Sequence, residues 1–298
     1  MDILKRGTSM DGTIRVFACI TTELVNRAQE IHRTYPVATA ALGRTLTVAS
    51  MMGISGLKNE EDSMTIQIKG DGQLSFIVAV TDASGNVRGY ASNPYVDRPL
   101  NSKGKLDVGG AIGQGYLSVI KDLGMREPYV GQVPLVSGEI AEDITMYYAQ
   151  SEQTPTATGL GVLVDTDNSV IAAGGFMIQL MPGATDETAK KLEEILEKIP
   201  PVTTMINDGL TVDDIIFTIT DGFDMLIENK EEHPKYECKC SKERMEQALI
   251  SIGEEELLGI IEEQGEAELT CQFCDNKYKF NKTELQELLK QAKKEVDS

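Results

Sequence analysis

The sequence lacks the features of a membrane or exported protein. No apolar run reaches the roughly 18 residues that a membrane span needs. The first seven residues are polar and basic, without the apolar segment of a secretory signal. We therefore expect no membrane association, and we expect a cytoplasmic protein.

Recognisable catalytic signatures are also scarce. The chain has only two histidines: His32 lies at the end of a predicted helix, where a surface role is expected, and His233 lies in a polar stretch, where we expect it to be solvated. The nucleophile motif Gly-x-Ser-x-Gly is absent. The glycine-rich stretch 109–115 fits neither the dinucleotide-binding nor the Walker pattern, so we expect loop and turn glycines there. The sequence predicts a protein that is not an enzyme.

Positive charge is in short supply. The formal net charge is −19, which repels nucleic acid. The C-terminal stretch, residues 231–298, is itself acidic, with 17 acidic against 10 basic side chains. We therefore expect no nucleic-acid partner.

Cysteine is rare except near the C-terminal end. Four of the five cysteines form two close pairs, Cys238 with Cys240 and Cys271 with Cys274, with thirty residues between the pairs. Four thiolates complete the tetrahedral ligand set of one zinc ion. The sequence therefore predicts one zinc ion per chain on these four residues. Cys19, alone in a predicted strand, is expected to be a small buried core residue.

The spacing of the first pair leaves three functions open. Cys-x-Cys is tighter than most structural zinc clips, and thiolates this close can form strained, labile disulfides. The site could then be a redox switch that holds zinc only when reduced. A constitutive zinc-clipped interaction module is the second possibility. The third is a thiol–disulfide oxidoreductase that uses Cys271 and Cys274 as a Cys-x-x-Cys pair, which would need neither zinc nor the other cysteine pair.

Hydrophobic periodicity predicts an α+β fold in three parts: an N-terminal core domain of mixed sheet and helix (1–183), a helical linker (184–235) and a C-terminal zinc domain (236–298). Residues 93–115 are expected to form a loop, and 228–237 a polar connecting run. Predicted strands cover 13–20, 64–69, 74–80, 87–91, 117–120, 131–136, 160–164, 170–180, 268–270 and 277–280. Predicted helices cover 22–33, 36–53, 139–151, 186–199, 203–207, 212–217, 241–252, 254–263 and a last helix that begins at Asn281.

Two motif blocks carry a family resemblance. The first combines Cys-x-Cys-Ser-x-x-Arg at 238–244 with Cys-x-Phe-Cys-x-x-x-Tyr-x-Phe at 271–280. The second runs from Ser-Gly-Glu-Ile-Ala-Glu-Asp-Ile at 137–144 to Ala-Gly-Gly-Phe-Met-Ile-Gln-Leu-Met-Pro-Gly-Ala at 173–184. With these blocks, its length and its domain order, the whole chain resembles the redox-regulated 33-kDa heat-shock chaperones of bacteria. Cys19 lies outside that pattern.

The resemblance implies an ATP-independent holdase whose reduced, zinc-bound form is inactive. Oxidants such as peroxide or hypochlorite, together with unfolding stress, would form the disulfides Cys238–Cys240 and Cys271–Cys274 and release zinc. The zinc domain and linker would then unfold, homodimers would form, and unfolding client proteins would bind. Amphipathic linker helices would supply apolar surface for clients, from Leu192, Ile195, Leu196, Ile215, Ile216 and Phe217.

Overall fold

The computed structural model describes residues 1–296, and it divides the chain into two units, Met1–Glu237 and Cys238–Ser298. The fold is α+β, as predicted; the domain boundaries at residues 183 and 235 stay a prediction. The first unit contains, in chain order, β1 (Ile3–Ser9), β2 (Ile14–Ile20), α1 (Thr22–His32), α2 (Pro36–Gly56), β3 (Ser63–Gly70), β4 (Phe76–Asp82), β5 (Val87–Ala91), α3 (Val108–Ile112), β6 (Gly115–Asp122), β7 (Tyr129–Pro134), α4 (Ala141–Gln150), β8 (Thr156–Val164), β9 (Val170–Leu180), α5 (Asp186–Leu196), α6 (Val202–Asn207), α7 (Val212–Ile219) and β10 (Met225–Ile227).

The strands of the first unit form two antiparallel five-stranded sheets. Sheet A has the order β10-β1-β2-β9-β8, and sheet B has the order β5-β4-β3-β6-β7. In sheet B, Met64, Ile66 and Ile68 of β3 point to the core and alternate with less buried residues. This alternation is expected for a sheet with one solvent-exposed face.

Helix α2 packs against strands of both sheets. It is long and apolar enough to cross a membrane, but 89% of its apolar window is buried inside the protein. Proline at its first turn starts the helix, because the missing N–H is not needed there. The helix therefore forms the centre of the main core.

Sheet A is a middle layer that is buried on both faces. Phe17 and Cys19 of β2 face the main core with α2, whereas Ile14, Val16 and Ala18 belong to a second hydrophobic cluster. Helices of the linker segment, residues 184–235, cover that second face. Their buried contributions are Leu192, Val202, Met205, Val212, Ile215, Ile216 and Ile219.

The polar end of the linker segment is hydrogen-bonded to strands β1 and β5 of the same unit. The Glu232 N–H donates to the Leu4 carbonyl at 3.0 Å, and the Leu4 N–H donates to the Glu232 carbonyl at 2.8 Å. Val87 of β5 donates to Lys235 and accepts from Glu237, both at 2.8 Å. The run 228–237 thus follows the edges of both sheets.

The second unit has its own small core. Its elements are α8 (Lys242–Ser251), α9 (Glu254–Glu263), β11 (Glu266–Thr270), β12 (Lys277–Asn281) and α10 (Lys282–Val296). The predicted start of the last helix is confirmed: the Asn281 side chain accepts from the Glu284 N–H, and the Glu284 carboxylate accepts from the Asn281 N–H. Its core consists of Leu249, Ile250, Leu257, Ile261, Phe280, Leu285, Leu288 and Ala292.

Three elements were not predicted from the sequence. Strand β1 carries Lys5 and Arg6, and pattern alone gave no reason to bury it; Lys5 is only 14% exposed because Asp213 and Glu231 each pair with its ammonium at 2.9 Å. Strand β10 has three residues, too few for a periodic signal. Helix α3 lies inside the stretch predicted as a loop, and the Asp107 side chain caps it by accepting from Gly110.

Candidate metal centre

A tight turn after β11 presents the second cysteine pair. The Cys271 N–H donates to the Asn276 carbonyl at 2.9 Å, and the Asp275 N–H donates to the Cys271 carbonyl at 2.9 Å. Asp275 has φ 59°, the left-handed conformation that short polar side chains tolerate. This closed turn holds Cys271 and Cys274 on the same side of the hairpin.

The first pair immediately precedes α8. Ser241 caps that helix by accepting from the Arg244 N–H at 3.3 Å, and so fixes the chain just after Cys240. The Lys242 ammonium lies 5.2 Å from the centre of the Phe280 ring and pairs with Glu284 at 2.5 Å. These contacts position the first cysteine pair against the hairpin.

All four predicted ligands come together. Their sulfur atoms lie within 4.8 Å of one another; Cys238 Sγ is 3.6 Å from Cys271 Sγ, and Cys240 Sγ is 3.4 Å from Cys274 Sγ. Four sulfurs about 2.3 Å from a central zinc form a tetrahedron with edges of about 3.8 Å. The cluster could therefore hold a metal ion, and its donor set is compatible with zinc.

Three thiols of the cluster, those of Cys238, Cys240 and Cys274, have shifted pKa values. Burial alone would raise the pKa of Cys240, but hydrogen bonds from the Tyr278 hydroxyl and the three other thiols outweigh it and lower the pKa to about 7. Burial raises the pKa of Cys238, and burial raises that of Cys274 to about 11. Of these three thiols, that of Cys240 therefore ionises at the lowest pH.

Tyr278 contributes to the site in a way that sequence reasoning missed. Its hydroxyl donates to Cys240 Sγ at 3.1 Å, and this bond raises the pKa of Tyr278 to about 12. The hydroxyl therefore stays protonated at neutral pH and stabilises a thiolate. The motif Cys-x-x-x-Tyr at 274–278 carried the only signal, because it places the tyrosine in β12 next to the cysteine turn.

The remaining candidate residues lie outside the cluster. Cys19 is fully buried in the main core, as predicted, and burial raises its pKa. His32 Nε2 lies 3.0 Å from the Tyr236 hydroxyl, and His233 Nδ1 lies 3.1 Å from the Asp2 carbonyl oxygen. Both histidines thus form hydrogen bonds within the first unit and take no part in the cysteine cluster.

The segment around residue 137 is held together by one buried carboxylate. The fully buried Asp143 carboxylate accepts four backbone N–H groups, of Val136, Ser137, Gly138 and Ile140, at 2.7 to 3.3 Å. Ile140 adopts φ 75°, which is strained for a β-branched residue. The carboxylate therefore holds a loop that the backbone alone would not form.

The glycine-rich stretch 109–115 serves packing. Gly113 has φ 76°, and a side chain at Gly115 would collide with the Lys69 carbonyl oxygen in the neighbouring strand. Loop and turn roles were predicted, and the structure adds this close approach of two backbones.

Fold and site together define a protein of two units, of which the smaller carries a four-cysteine cluster suited to a metal ion. A family model described as Hsp33 protein matches residues 2–281. The chain is 52% identical over 289 residues to the 33 kDa chaperonin of Acetivibrio thermocellus, covering 97% of each chain. It is 50% identical over 293 residues to the 33 kDa chaperonin of Clostridium beijerinckii, covering 98% of this chain and 99% of that one.

A solved structure agrees with these relatives. The crystal structure of the 33 kDa chaperonin (heat shock protein 33 homolog) of Thermotoga maritima matches with a TM-score of 0.89 and 37% identity, covering 99% of each chain. The chain belongs to the Hsp33 family of chaperones.

Proposed function

We propose that the protein is an ATP-independent holdase controlled by its four cysteines. Reduced and zinc-bound, it is inactive; disulfides Cys238–Cys240 and Cys271–Cys274, with loss of zinc, activate it toward unfolding proteins. The observation that carries the proposal is the cluster of four sulfurs within 4.8 Å in a unit with a small core. Membership of a chaperone family supports the choice of unfolded proteins as partners.

The cluster has the chemistry for oxidation by peroxide. A thiolate attacks the O–O bond, becomes a sulfenic acid and releases one oxygen as water; a second thiol displaces the other oxygen as water and forms the disulfide. Each disulfide thus consumes one peroxide and two thiols. Cys240, with its pKa of about 7, is partly ionised at neutral pH and can make the first attack.

The pairing of the disulfides is set by chain connectivity. In the structure the shortest sulfur distances join the two motifs, 3.6 Å for Cys238 to Cys271 and 3.4 Å for Cys240 to Cys274. Once the unit loosens, partners one or two residues apart close far shorter loops than partners in different motifs. We therefore assign the disulfides within each motif.

Loss of metal removes much of the stability of residues 238–296. Bound zinc would cross-link the start of α8 to the hairpin β11–β12. The eight buried side chains of this unit form a core too small to secure a fold of about 60 residues. Structural zinc contributes on the order of 10 kcal/mol to such folds. Oxidation therefore unfolds the unit.

The linker segment supplies hidden apolar surface. Leu192, Ile215 and Ile216 are at most 4% exposed and pack on sheet A. Ile195 and Leu196 are half-buried, but Phe217 is already 53% exposed, so its exposure needs no opening of the linker. Release of these helices would uncover both their own apolar stripe and the outer face of sheet A.

The side chain of Tyr236 fixes the end of the linker segment to the rest of the first unit, and we call this contact the anchor. Tyr236 lies two residues before Cys238, the first switch cysteine. Its hydroxyl donates to the Gly89 carbonyl at 2.7 Å and forms a hydrogen bond with His32. Unfolding that starts at Cys238 must break this anchor before it frees the linker segment. We further propose that the opened form dimerises. We also place the protein in the cytoplasm, where thiols are kept reduced in the absence of oxidative stress.

Peptide mapping tests the switch. Treatment with peroxide at mild heat is expected to give the two disulfides within the motifs and to leave Cys19 as a free thiol, because Cys19 is fully buried. Proteolysis under acid quench followed by mass spectrometry identifies the pairs. Predominant disulfides between the two motifs, or a bridge to Cys19, would contradict the proposed switch.

Removal of the Tyr278 hydroxyl is expected to weaken the site. In Tyr278→Phe, Cys240 loses a donor at 3.1 Å, so zinc affinity should fall by about tenfold and peroxide should release zinc faster. Competition with a chromogenic chelator measures both quantities. Lys277→Gln is the matched control, because Lys277 on the same strand pairs with Glu268 at 2.8 Å. Equal zinc affinity in Tyr278→Phe and the control would remove Tyr278 from the site.

A further inference from the structure

Strand β8 is the edge of sheet A, and one of its sides has no strand partner. It pairs only with β9, in an antiparallel register that joins Thr156 to Gln179. The Leu180 N–H donates to the Pro155 carbonyl at 2.9 Å, so backbone groups of odd-numbered residues face β9 at the start of the strand. The N–H and C=O groups of Thr158, Leu160 and Val162 therefore face away. Within the described part of the chain no hydrogen bond reaches them.

A cleft of about 680 Å³ runs along residues 159–164 of this edge. One wall comes from Leu106 and the loop before it, and the other from residues 199–204 of the linker segment. Gly159 and Gly161 keep the linker side of the strand flat; a side chain at Gly161 would meet Thr203. The cleft has the form of a slot for an extended chain.

Two basic groups line the cleft of an otherwise acidic protein. Arg44 Nη1 pairs with Glu139 at 2.6 Å, but the buried Arg44 Nε has no hydrogen-bond partner. Lys105 is exposed. An unpaired buried donor costs free energy that an incoming acceptor could recover.

We propose that the edge of β8 binds an extended segment of an unfolded polypeptide by strand addition, with an acidic side chain of that segment directed to Arg44 and Lys105. The main-chain bonds require no particular sequence, which suits a chaperone with many clients. A second copy of this chain fits less well, because its own β8, residues 156–164, carries no acidic side chain that could meet Arg44 and Lys105. This inference rests on the proposed holdase function and assigns it a site.

The linker segment connects this site to the switch. Pro200, Pro201 and Thr203 form the wall of the cleft on the linker side of β8. When the linker helices detach, this wall leaves and the edge opens along its whole length. Oxidation thereby uncovers main-chain partners together with apolar surface.

A pair of peptides tests the site on the oxidised full-length protein. The probe is an eight-residue fluorescent peptide of alternating valine and threonine with one central glutamate, N-methylated at alternate residues so that one edge can still pair. Its counterpart is methylated on both edges. The one-edge peptide is expected to bind and to protect the amides of Thr158, Leu160 and Val162 from hydrogen exchange. Equal binding of both peptides would overturn the proposal, as would protection of other segments only.

Variants separate main-chain pairing from side-chain contact. Thr158→Pro removes an N–H that faces away from β9, so the sheet keeps its ladder, and binding should weaken by about tenfold. Thr158→Val keeps that N–H and removes only a buried hydroxyl without partner, so it should bind as the parent does. Lys105 is an exposed side chain. Lys105→Glu should weaken binding of the glutamate peptide several-fold more than binding of its glutamine analogue. Unchanged affinities in Thr158→Pro and Lys105→Glu would overturn the assignment.

Two further outcomes are informative. The amides of β8 could instead become protected in the absence of peptide, to an extent that increases with protein concentration. That result would show that a second copy of the chain binds this edge, and it would overturn the proposal. Aggregation of a client is measured on the same samples. If the oxidised protein suppresses aggregation but does not bind the peptide at β8, the site is wrong while the holdase function stands; if it binds there without suppressing aggregation, the function fails and the binding site stands.

Discussion

Reduced protein with Cys274 replaced by Ser is expected to lose its zinc and the folded structure of residues 238–296. A closed tetrahedral site tolerates no missing ligand, and the small core around Phe280 does not replace the metal. Metal content should fall from one zinc per chain to nearly none. Amides of α8, α9 and the hairpin β11–β12 should exchange at rates close to those of an unfolded chain.

Cys19→Ala provides the control, because Cys19 lies outside the cluster in the core of the first unit. It should retain full zinc and a protected second unit. A Cys274→Ser protein that keeps one zinc per chain would show that the four sulfurs are not one site.

Reduced, zinc-loaded Ile216→Asp is expected to be active without oxidant. Ile216 is fully buried between α7 and sheet A, and burial of an unpaired carboxylate costs several kcal/mol. The linker helices should detach, and aggregation of a heat-unfolded client should be suppressed. Light scattering measures suppression, and hydrogen exchange of residues 186–219 measures detachment.

Phe217→Asp is the control for Ile216→Asp, because it introduces the same charge at the next residue of the same helix. Because Phe217 is 53% exposed, this change should leave α7 docked and the reduced protein inactive. Detached helices in Ile216→Asp without any suppression of aggregation would mean that the surface under the linker segment does not bind clients.

The candidate site was largely predictable because its signals are local. Cys238, Cys240, Cys271 and Cys274 are rare residues at short spacings, and the turn and the hairpin that present them follow from neighbouring residues. The capping pair Asn281 and Glu284 is also local, three residues apart. The hydroxyl of Tyr278 was missed because its contact with Cys240 joins residues that are 38 apart in the chain.

The parts of the fold that escaped prediction depend on distant partners. Strand β1 places Lys5 in a half-buried position only because Asp213 and Glu231 lie there. Burial of the second face of β2 depends on linker helices more than 160 residues later in the chain, so the alternation of Ile14 with Arg15 predicted the strand but not the second core. The helical period of α7 likewise gave an apolar stripe without showing that Phe217 points outward.

The central claim is that zinc loss precedes and causes client binding. The measurement that tests it most directly is a peroxide titration at mild heat in which zinc release, exchange of linker amides and aggregation of a client are followed in one sample. We expect reduced, zinc-loaded protein to leave the client to aggregate. Zinc should leave before the amides of residues 186–227 lose protection, and suppression of aggregation should rise with that loss. Equal suppression by the reduced, zinc-loaded protein would contradict it.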